Sequence, residues 1–520
     1  MRSVMRHEFS RTPAGNVPRS RFDRSHAHKT TFDADYLIPV LVDEALPGDI
    51  FRLRISALCR LATPLFPIMD NAYIDLHCWS VPWRLIWTNF KKFLGEQTDP
   101  GDSIDYTLPV LGTSGSAVGL HDLADYMGLP LGLTPSVASN IVSLPFRAYR
   151  FIYDQHYRDQ NLIDSVTFPV DDGPDSAAEV GWESAPLKRG KKFDYFTQAL
   201  PWPQKGDAVD LPLGTNAPIY STSTPGGLAD QIIKDGLASS TEMYLNAAST
   251  NLRAGSAVVG TETLFADLSS AAGATINQLR QSLAIQQFLE LAARAGTRFA
   301  EIIQGFFGVE FQDVRYRPEY LGGGTFPVNI TPIANTSDTT SYEQGELAGF
   351  GLAAGSGVGF TKAFDEWCYV IVLASVRCDL TYSQGVDRMW TRSTRYDLYW
   401  RQFAHIGEQA LLRDEIYHDV TGTGNSDVFG YVPRYDEYRW KRSLITGQFR
   451  SDAAGSLEAW HWSQDFASAP TLNQTFIENA APIDRTIATP TEPHFISDFY
   501  FDYKCVRPMP VHGIPGMTRL

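Results

Sequence analysis

The chain has 520 residues, several times the roughly 100–150 of a modal domain, so it can bury a large core; its 59 acidic and 44 basic side chains leave a net charge of −15. That balance argues against a protein whose whole surface wraps nucleic acid, and any basic function must be local. The longest uninterrupted apolar run, Trp367 to Ala374, is eight residues, where a membrane helix needs about 20, so membrane insertion is excluded. Arg2 and Arg6 are followed by Gly, Pro and Ser instead of an apolar stretch, which is no secretory signal, and the chain is expected to fold in a cytoplasm. Five cysteines without a C-x-x-C give neither a disulfide framework nor a zinc signature.

Residues 1–30 form a basic arm. Arg2, Arg6, Arg11, Arg19, Arg21, Arg24 and Lys29 outnumber Glu8 and Asp23 by five, leaving −20 for the remainder. With Pro13, Gly15 and Pro18 and few branched apolar residues, the arm is expected to be extended or mobile until something binds it. A solvated tail is one reading; an arm that touches polyanion or crosses to a neighbouring subunit is the other.

Beyond the arm, alternation with period two predicts strands. Phe51, Leu53, Ile55, Ala57, Cys59 and Leu61 alternate with Arg52, Arg54, Ser56, Leu58 and Arg60. Ile74, Leu76 and Cys78 repeat the pattern, and short helices are predicted over Arg84–Glu96 and Arg147–Gln160. From Gly206 to Thr275 small polar residues dominate, as in a large surface excursion. Thr275 with Gln278 forms a capping box opening a helix through Ile276, Leu279, Leu283, Phe288 and Leu291, apolar on most faces and so expected to be packed. Gly322–Gly324, Ala353–Gly359 and Thr421–Ser426 read as loops by turn chemistry.

Val376, Cys378, Leu380 and Tyr382 resume the alternation, and carried backward their phase takes in Cys368, Val370 and Val372. Phe499, Phe501, Tyr503 and Cys505 repeat it near the C-terminus, so all five cysteines read as small buried hydrophobes. Strands scattered from one end of the chain to the other favour one elaborated β domain over beads on a string. Long loops and inserted helices on such strands resemble a jelly roll.

Catalytic motifs are absent. There is no G-x-x-x-x-G-K-[ST] and no G-x-S-x-G, and Gly355, Gly357 and Gly359 lack the strand-to-helix context of a dinucleotide site. His26 and His28 have no further ligand at metal spacing. Glu408, Asp414 and Glu415 could form an acid/base pair, but sequence cannot set them face to face, and with 59 acids some proximity arises by chance. No cofactor or metal is expected. Aromatic side chains are abundant, with Arg among them in the runs Arg388-Met-Trp-Thr-Arg392 and Arg395-Tyr-Asp-Leu-Tyr-Trp-Arg401. Arg388, Trp390, Arg392, Arg395, Tyr399 and Trp400 have the composition of a protein–protein hot spot. A nucleic-acid stacking platform would use the same residue types, but in an acidic chain the protein interface is preferred.

At these residues the sequence resembles the major capsid proteins of the Microviridae, small single-stranded DNA phages, on the gokushovirus side. The resemblance runs almost end to end, through Ser20-Arg-Phe-Asp-Arg-Ser25, Thr63-Pro-Leu-Phe-Pro-Ile-Met-Asp-Asn-Ala-Tyr73, Leu144-Pro-Phe-Arg-Ala-Tyr149, Asp194-Tyr-Phe-Thr-Gln-Ala-Leu-Pro-Trp-Pro-Gln-Lys-Gly206, Arg317-Pro-Glu-Tyr-Leu-Gly-Gly323, Gln384-Gly-Val-Asp-Arg-Met-Trp390 and Arg507-Pro-Met-Pro510. It implies a mainly β fold, an eight-stranded viral jelly roll (antiparallel β-sandwich) whose long loop insertions contain helices. It further implies a non-enzymatic subunit of the virion, made in the bacterial host cytoplasm, that assembles with itself through pentamers into a T=1 icosahedral shell. Circular single-stranded DNA, a small basic DNA-binding viral protein and a bacterial surface receptor are the implied partners.

On this reading residues 1–30 are the arm, with its seven cations, Arg2 to Lys29, facing DNA, and 31–520 form one capsid domain. Residues 206–275 are its insertion and candidate threefold protrusion, where three copies bury Ile232, Ile233, Tyr244, Leu245 and Leu264 against one another. The competing class is a soluble carbohydrate-binding or hydrolytic β-sandwich, which size would distinguish.

Overall fold

The computed structural model describes residues 18–207, 209, 219–220, 265–266, 276–309, 316–336, 344–478 and 481–512. The chain divides into two compact units, 204–310 and the remainder.

The larger unit is built on antiparallel strands: β1 (Ser20–Asp23), β2 (His26–Phe32), β3 (Ile38–Ala45), β4 (Ile50–Leu61) and β5 (Ala72–Pro82) from its N-terminal part. The smaller unit contributes the two-residue pair β6 (Ile219–Tyr220) and β7 (Phe265–Ala266). Then follow β8 (Glu319–Ala334), β9 (Leu347–Ala363), β10 (Cys368–Cys378), the hairpin β11 (Glu408–Leu412) and β12 (Val428–Pro433), and β13 (Phe495–Arg507). The main sheet has the order β1-β13-β4-β9-β8-β5-β10-β3, with β2 also on β13. β1 pairs with Lys-Cys-Val-Arg, positions 504–507 of β13, and β2 with 495–501, end to end along one edge, so the nine strands fill eight positions.

The sheet curls at β8. Its first half pairs with β5 through Val328 and its second half with β9 from Asn329. One flank, β13-β4-β9, thereby faces the other, β5-β10-β3, across a shared core. Phe51, Leu53, Ile55, Cys59 and Leu61 of β4 and Phe495, Phe499, Phe501 and Tyr503 of β13 pack there with Ile74, Leu76, Val370, Val372 and Val376. The alternation of β4 is complete, apolar positions buried and Arg52, Arg54, Ser56, Leu58 and Arg60 exposed. This is the jelly-roll sandwich.

The two flanks differ on their outer faces. β10 is buried on both sides, because Tyr369, Ile371 and Leu373, with Trp79 and Val81 of β5, meet a second core under α1 (Trp83–Ile86), α2 (Phe90–Phe93), α3 (Leu123–Tyr126), α4 (Leu144–His156) and α5 (Ala177–Val180). α4 sits over the sheet through Phe146, Tyr149, Ile152 and Tyr153. It also carries Arg147, fully buried, whose Nε and Nη2 donate to Asp175 at 2.7 and 2.6 Å and whose Nη1 reaches the Ile86 and Asp171 carbonyls at 3.0 and 2.9 Å. A third core joins Tyr195, Phe196, Tyr382, Leu411 and Val432 beneath the β11–β12 hairpin. α8 (Gln474–Glu478) closes this core with Phe476 and Ile477.

All five cysteines are buried, and burial pushes the Cys59 thiol up to about 11 and those of Cys78 and Cys368 up to about 12. The expected helices at 84–96 and 147–160 correspond to α1, α2 and α4. Two glycine-rich segments expected as loops, Gly322–Gly324 and Ala353–Gly359, instead lie inside β8 and β9. Their glycines answer to close packing: a Cβ on Gly355 would sit 1.9 Å from the Phe326 ring, and one on Gly359 would sit 2.0 Å from the Leu53 carbonyl oxygen. Thr421–Ser426 is a turn as expected, whereas the alternation seen through Tyr382 outlasts its strand, which ends at Cys378.

In the smaller unit, α6 (Ile276–Ala295) covers the predicted helical run and is followed by α7 (Phe299–Phe307); Thr275, the cap read from the sequence, lies outside the described residues. The expectation that α6 is packed fails. Ile276, Leu279, Leu283, Phe288 and Leu291 are all exposed, because its apolar residues spread around the helix and only part of one side meets α7, through Phe288 on Phe306 at 4.8 Å. Ile232, Ile233, Tyr244, Leu245 and Leu264 lie outside the described residues, as do Arg2, Arg6 and Arg11.

Candidate assembly surface

The segment after β10 runs over the surface as short 3₁₀ turns, Arg388–Trp390, Arg395–Asp397 and Arg401–Phe403. Such turns suit this sequence because Asp387 and Thr394 cap them: the Met389 N–H donates to Asp387, and the Thr394 N–H donates to Asp397 at 2.7 Å. Arg388 anchors the segment by donating to the Ala410 carbonyl of β11 at 2.9 Å and to Glu415 at 3.3 Å. Glu415 also accepts from the Tyr195 hydroxyl at 2.8 Å. Burial pushes its carboxyl up, against the pull of Arg388 and Tyr195. An acid so enclosed and so paired holds the fold together; it forms no acid/base pair with Asp414, which faces His418 at 2.5 Å.

With its base fixed, the segment presents its aromatics outward. Trp390 is 74% exposed, and Tyr396, Leu398, Tyr399 and Trp400 are each about half exposed. Trp400 Nε1 donates to the Arg395 carbonyl at 2.7 Å, and the Arg395 guanidinium lies over the Tyr396 ring at 4.9 Å. Arg392 covers Tyr438 at 4.5 Å and reaches Glu437 at 3.6 Å. Tyr399 stands edge-on to Tyr435 at 5.1 Å. Trp390, Arg395, Tyr399 and Trp400 of the six predicted interface residues thus stand exposed on one surface, while Arg388 and Arg392 are half-buried and hold it from beneath. The sequence reading missed Tyr438, Trp440 and Leu444, also exposed; the run Asp436-Glu-Tyr-Arg-Trp440 holds the same Arg and aromatic mixture that marked 388–401.

The described part of the arm lies on the sheet. Arg19, Arg21 and Lys29 are exposed, Lys29 lying 4.0 Å from Asp498. Arg24 is turned inward: its Nη2 donates to Asp43 at 2.9 Å, its guanidinium lies 5.3 Å from the Tyr503 ring centre, and the Tyr503 hydroxyl donates to the same carboxylate at 2.6 Å. Ser25 to β13 and Arg24 to β3 therefore pin the arm at its midpoint. His26 stacks on Phe501 at 5.1 Å, and among the described residues no group of three or more His, Cys, Asp or Glu could hold a metal.

A jelly roll with anchored exposed aromatics and a strand-borne arm has counterparts along its whole length. The family model for capsid protein (F protein) matches residues 10–517. Capsid protein VP1 of Bdellovibrio phage phiMH2K is 42% identical over 98% of this chain and 97% of its own. Capsid protein VP1 of Chlamydia phage 1 is 39% identical over 100% and 99%, and that of Spiroplasma virus 4 is 31% identical over 99% and 98%. The chain therefore belongs to the F-protein family of phage capsid proteins and is a major capsid protein of the Microviridae, on the gokushovirus side.

Proposed function

We propose that copies of this capsid protein close, through pentamers, into a T=1 icosahedral shell around circular single-stranded DNA, using the 388–401 segment as a subunit contact. The observation that carries this is the anchored aromatic surface: Trp390, Tyr399 and Trp400 are held by Arg388, Arg395 and Tyr435 yet stand in solvent in the single chain. Aromatic and Arg residues at the centre of a contact supply most of its energy. The role is structural, and no catalytic turnover is part of it.

The acidic balance of the chain supports a division of labour on the DNA, in which a small basic viral protein supplies most neutralising charge. Arg2, Arg6, Arg11, Arg19, Arg21 and Lys29 of the inward-facing arm then add sequence-independent phosphate contacts. The small polar composition of 206–275 supports its role as a threefold protrusion that meets a bacterial surface receptor. Synthesis in the host cytoplasm agrees with five buried, reduced thiols.

Expression of the chain with its viral partners, followed by negative-stain electron microscopy, tests the proposal. Closed shells that are lost in Trp390→Ala/Trp400→Ala, with the subunit still folded by circular dichroism, support it. Shells unaffected by that change would remove the segment from the contact.

A further inference from the structure

The outer face of the β13-β4-β9 flank differs from that of its opposite flank, which lies under helices. β4 presents Arg52, Arg54 and Arg60 on it, all exposed. Antiparallel register aligns β13 beside them, with Tyr500 opposite Ser56, Asp502 opposite Arg54 and Ile496 opposite Arg60. The arm continues the same face, since Lys29 is opposite Asp498 and Arg21 opposite Val506. Counting Lys504, six cations meet three carboxylates, Asp23, Asp498 and Asp502, on a chain whose net charge is −15. Two of those carboxylates are already engaged, Asp498 with Lys29 and Asp502 with Lys504 at 3.2 Å. Among the described residues Arg52 and Arg54 enter no ion pair.

The face also has an apolar floor. A groove of about 670 Å³ runs beside Arg60, with Leu58, Phe350, Leu352 and Ile496 as its apolar part and Lys29, Asp125 and Asp498 among its charged lining. Leu58, Ile496 and Tyr500 are each at least half exposed, and the Arg60 guanidinium lies over the Phe350 ring at 4.9 Å. The unpaired Arg52 and Arg54, with Arg60 about 26 Å along the strand from Arg52, beside the exposed Tyr500 ring and the apolar Leu58 and Ile496, match a polyanion that itself carries flat apolar rings. That is the chemistry of a single-stranded nucleic acid: phosphates pair with cations while bases stack, with no sequence readout.

We infer that this sheet face is a docking track for single-stranded DNA, in which Arg52, Arg54 and Arg60 take phosphates while Tyr500 takes a base. The inference rests on the encapsidation reading and gives it a location beyond the arm.

The test uses the full chain and oligothymidylate as the probe. Ultraviolet cross-linking of the wild-type subunit, read by peptide mass spectrometry, should put adducts on the peptide holding Tyr500. In Arg52→Gln/Arg54→Gln/Arg60→Gln the slope of log affinity against log salt should fall by about 2, at roughly 0.7 per lost phosphate contact. Arg-to-Lys changes at the same positions should keep the slope. Adducts confined to other peptides, an unchanged slope in the Gln variant, or equal binding of polyglutamate would overturn the track. Electron microscopy of the wild type keeps the two readings apart, since absence of wild-type shells refutes the capsid reading and intact shells with adducts elsewhere refute only the track.

Discussion

Asp35 has left-handed backbone, φ 68°, and its Oδ2 is enclosed without a hydrogen-bond partner among the described residues. Burial pushes its carboxyl up to about 6, against the pull of the Ala481 N–H and the Lys188 and Lys191 charges. The folded chain thus binds this proton more tightly than the unfolded chain, where the value is about 3.9. The stability this proton contributes is full below about pH 4 and is lost as pH rises through about 6. Asp35→Asn keeps a residue that tolerates left-handed backbone. It should stabilise the subunit by about 1–2 kcal/mol at pH 7.5 and leave it unchanged at pH 4. Urea melts at the two pH values check this, and equal gains at both would show that ionisation is not the cause. Arg147 is the opposite case, a buried charge with its partner in place. Arg147→Met leaves Asp175 buried alone and should destabilise the subunit by about 3–5 kcal/mol, most of it recovered in Arg147→Met/Asp175→Leu. A double-mutant cycle measures that recovery. Neither group was legible in the sequence, because Asp175 lies 28 residues from Arg147 in a loop and nothing local marks the pair.

Among the elements, β4 and β13 were legible because each has one buried and one bare face, so composition alternates with the pleat. β10 was legible only by phase, since helices cover its second side. β8 and β9 were misread for a physical reason: their glycines make room for neighbours, and sequence does not distinguish that from turn chemistry. Gly359→Ala, which drives a methyl against the Leu53 carbonyl, should therefore destabilise the subunit by about 1–3 kcal/mol. Gly101→Ala, with nothing within 4 Å of its Cβ, should be neutral. Thermal melts of the two variants compare them directly. The helical run of α6 was legible from its sequence, but its packing was not, because hydrophobic residues all round a helix say that something must cover it without saying what.

For the whole molecule, the surface at 388–401 was legible because Arg and aromatic residues are dense there over a short span. Its extension to Tyr438 and Trp440 rests on a shorter run of the same mixture, Asp436-Glu-Tyr-Arg-Trp440, and the arginines of β4 read only as the polar half of a strand. The exposed aromatics should act as hot spots, so that Trp390→Ala and Trp400→Ala each weaken association by about 2 kcal/mol or more while leaving subunit stability nearly unchanged. Sedimentation of the assembling protein and a thermal melt separate these effects. Salt should weaken the DNA contacts of filled particles far more than this aromatic contact. The most direct measurement is a cryo-electron microscopy reconstruction of the DNA-filled particle. The account predicts a closed icosahedral shell with Trp390, Tyr399 and Trp400 buried between subunits and the Arg52–Arg60 face turned to the interior; a particle in which those aromatics stand free in solvent would contradict it.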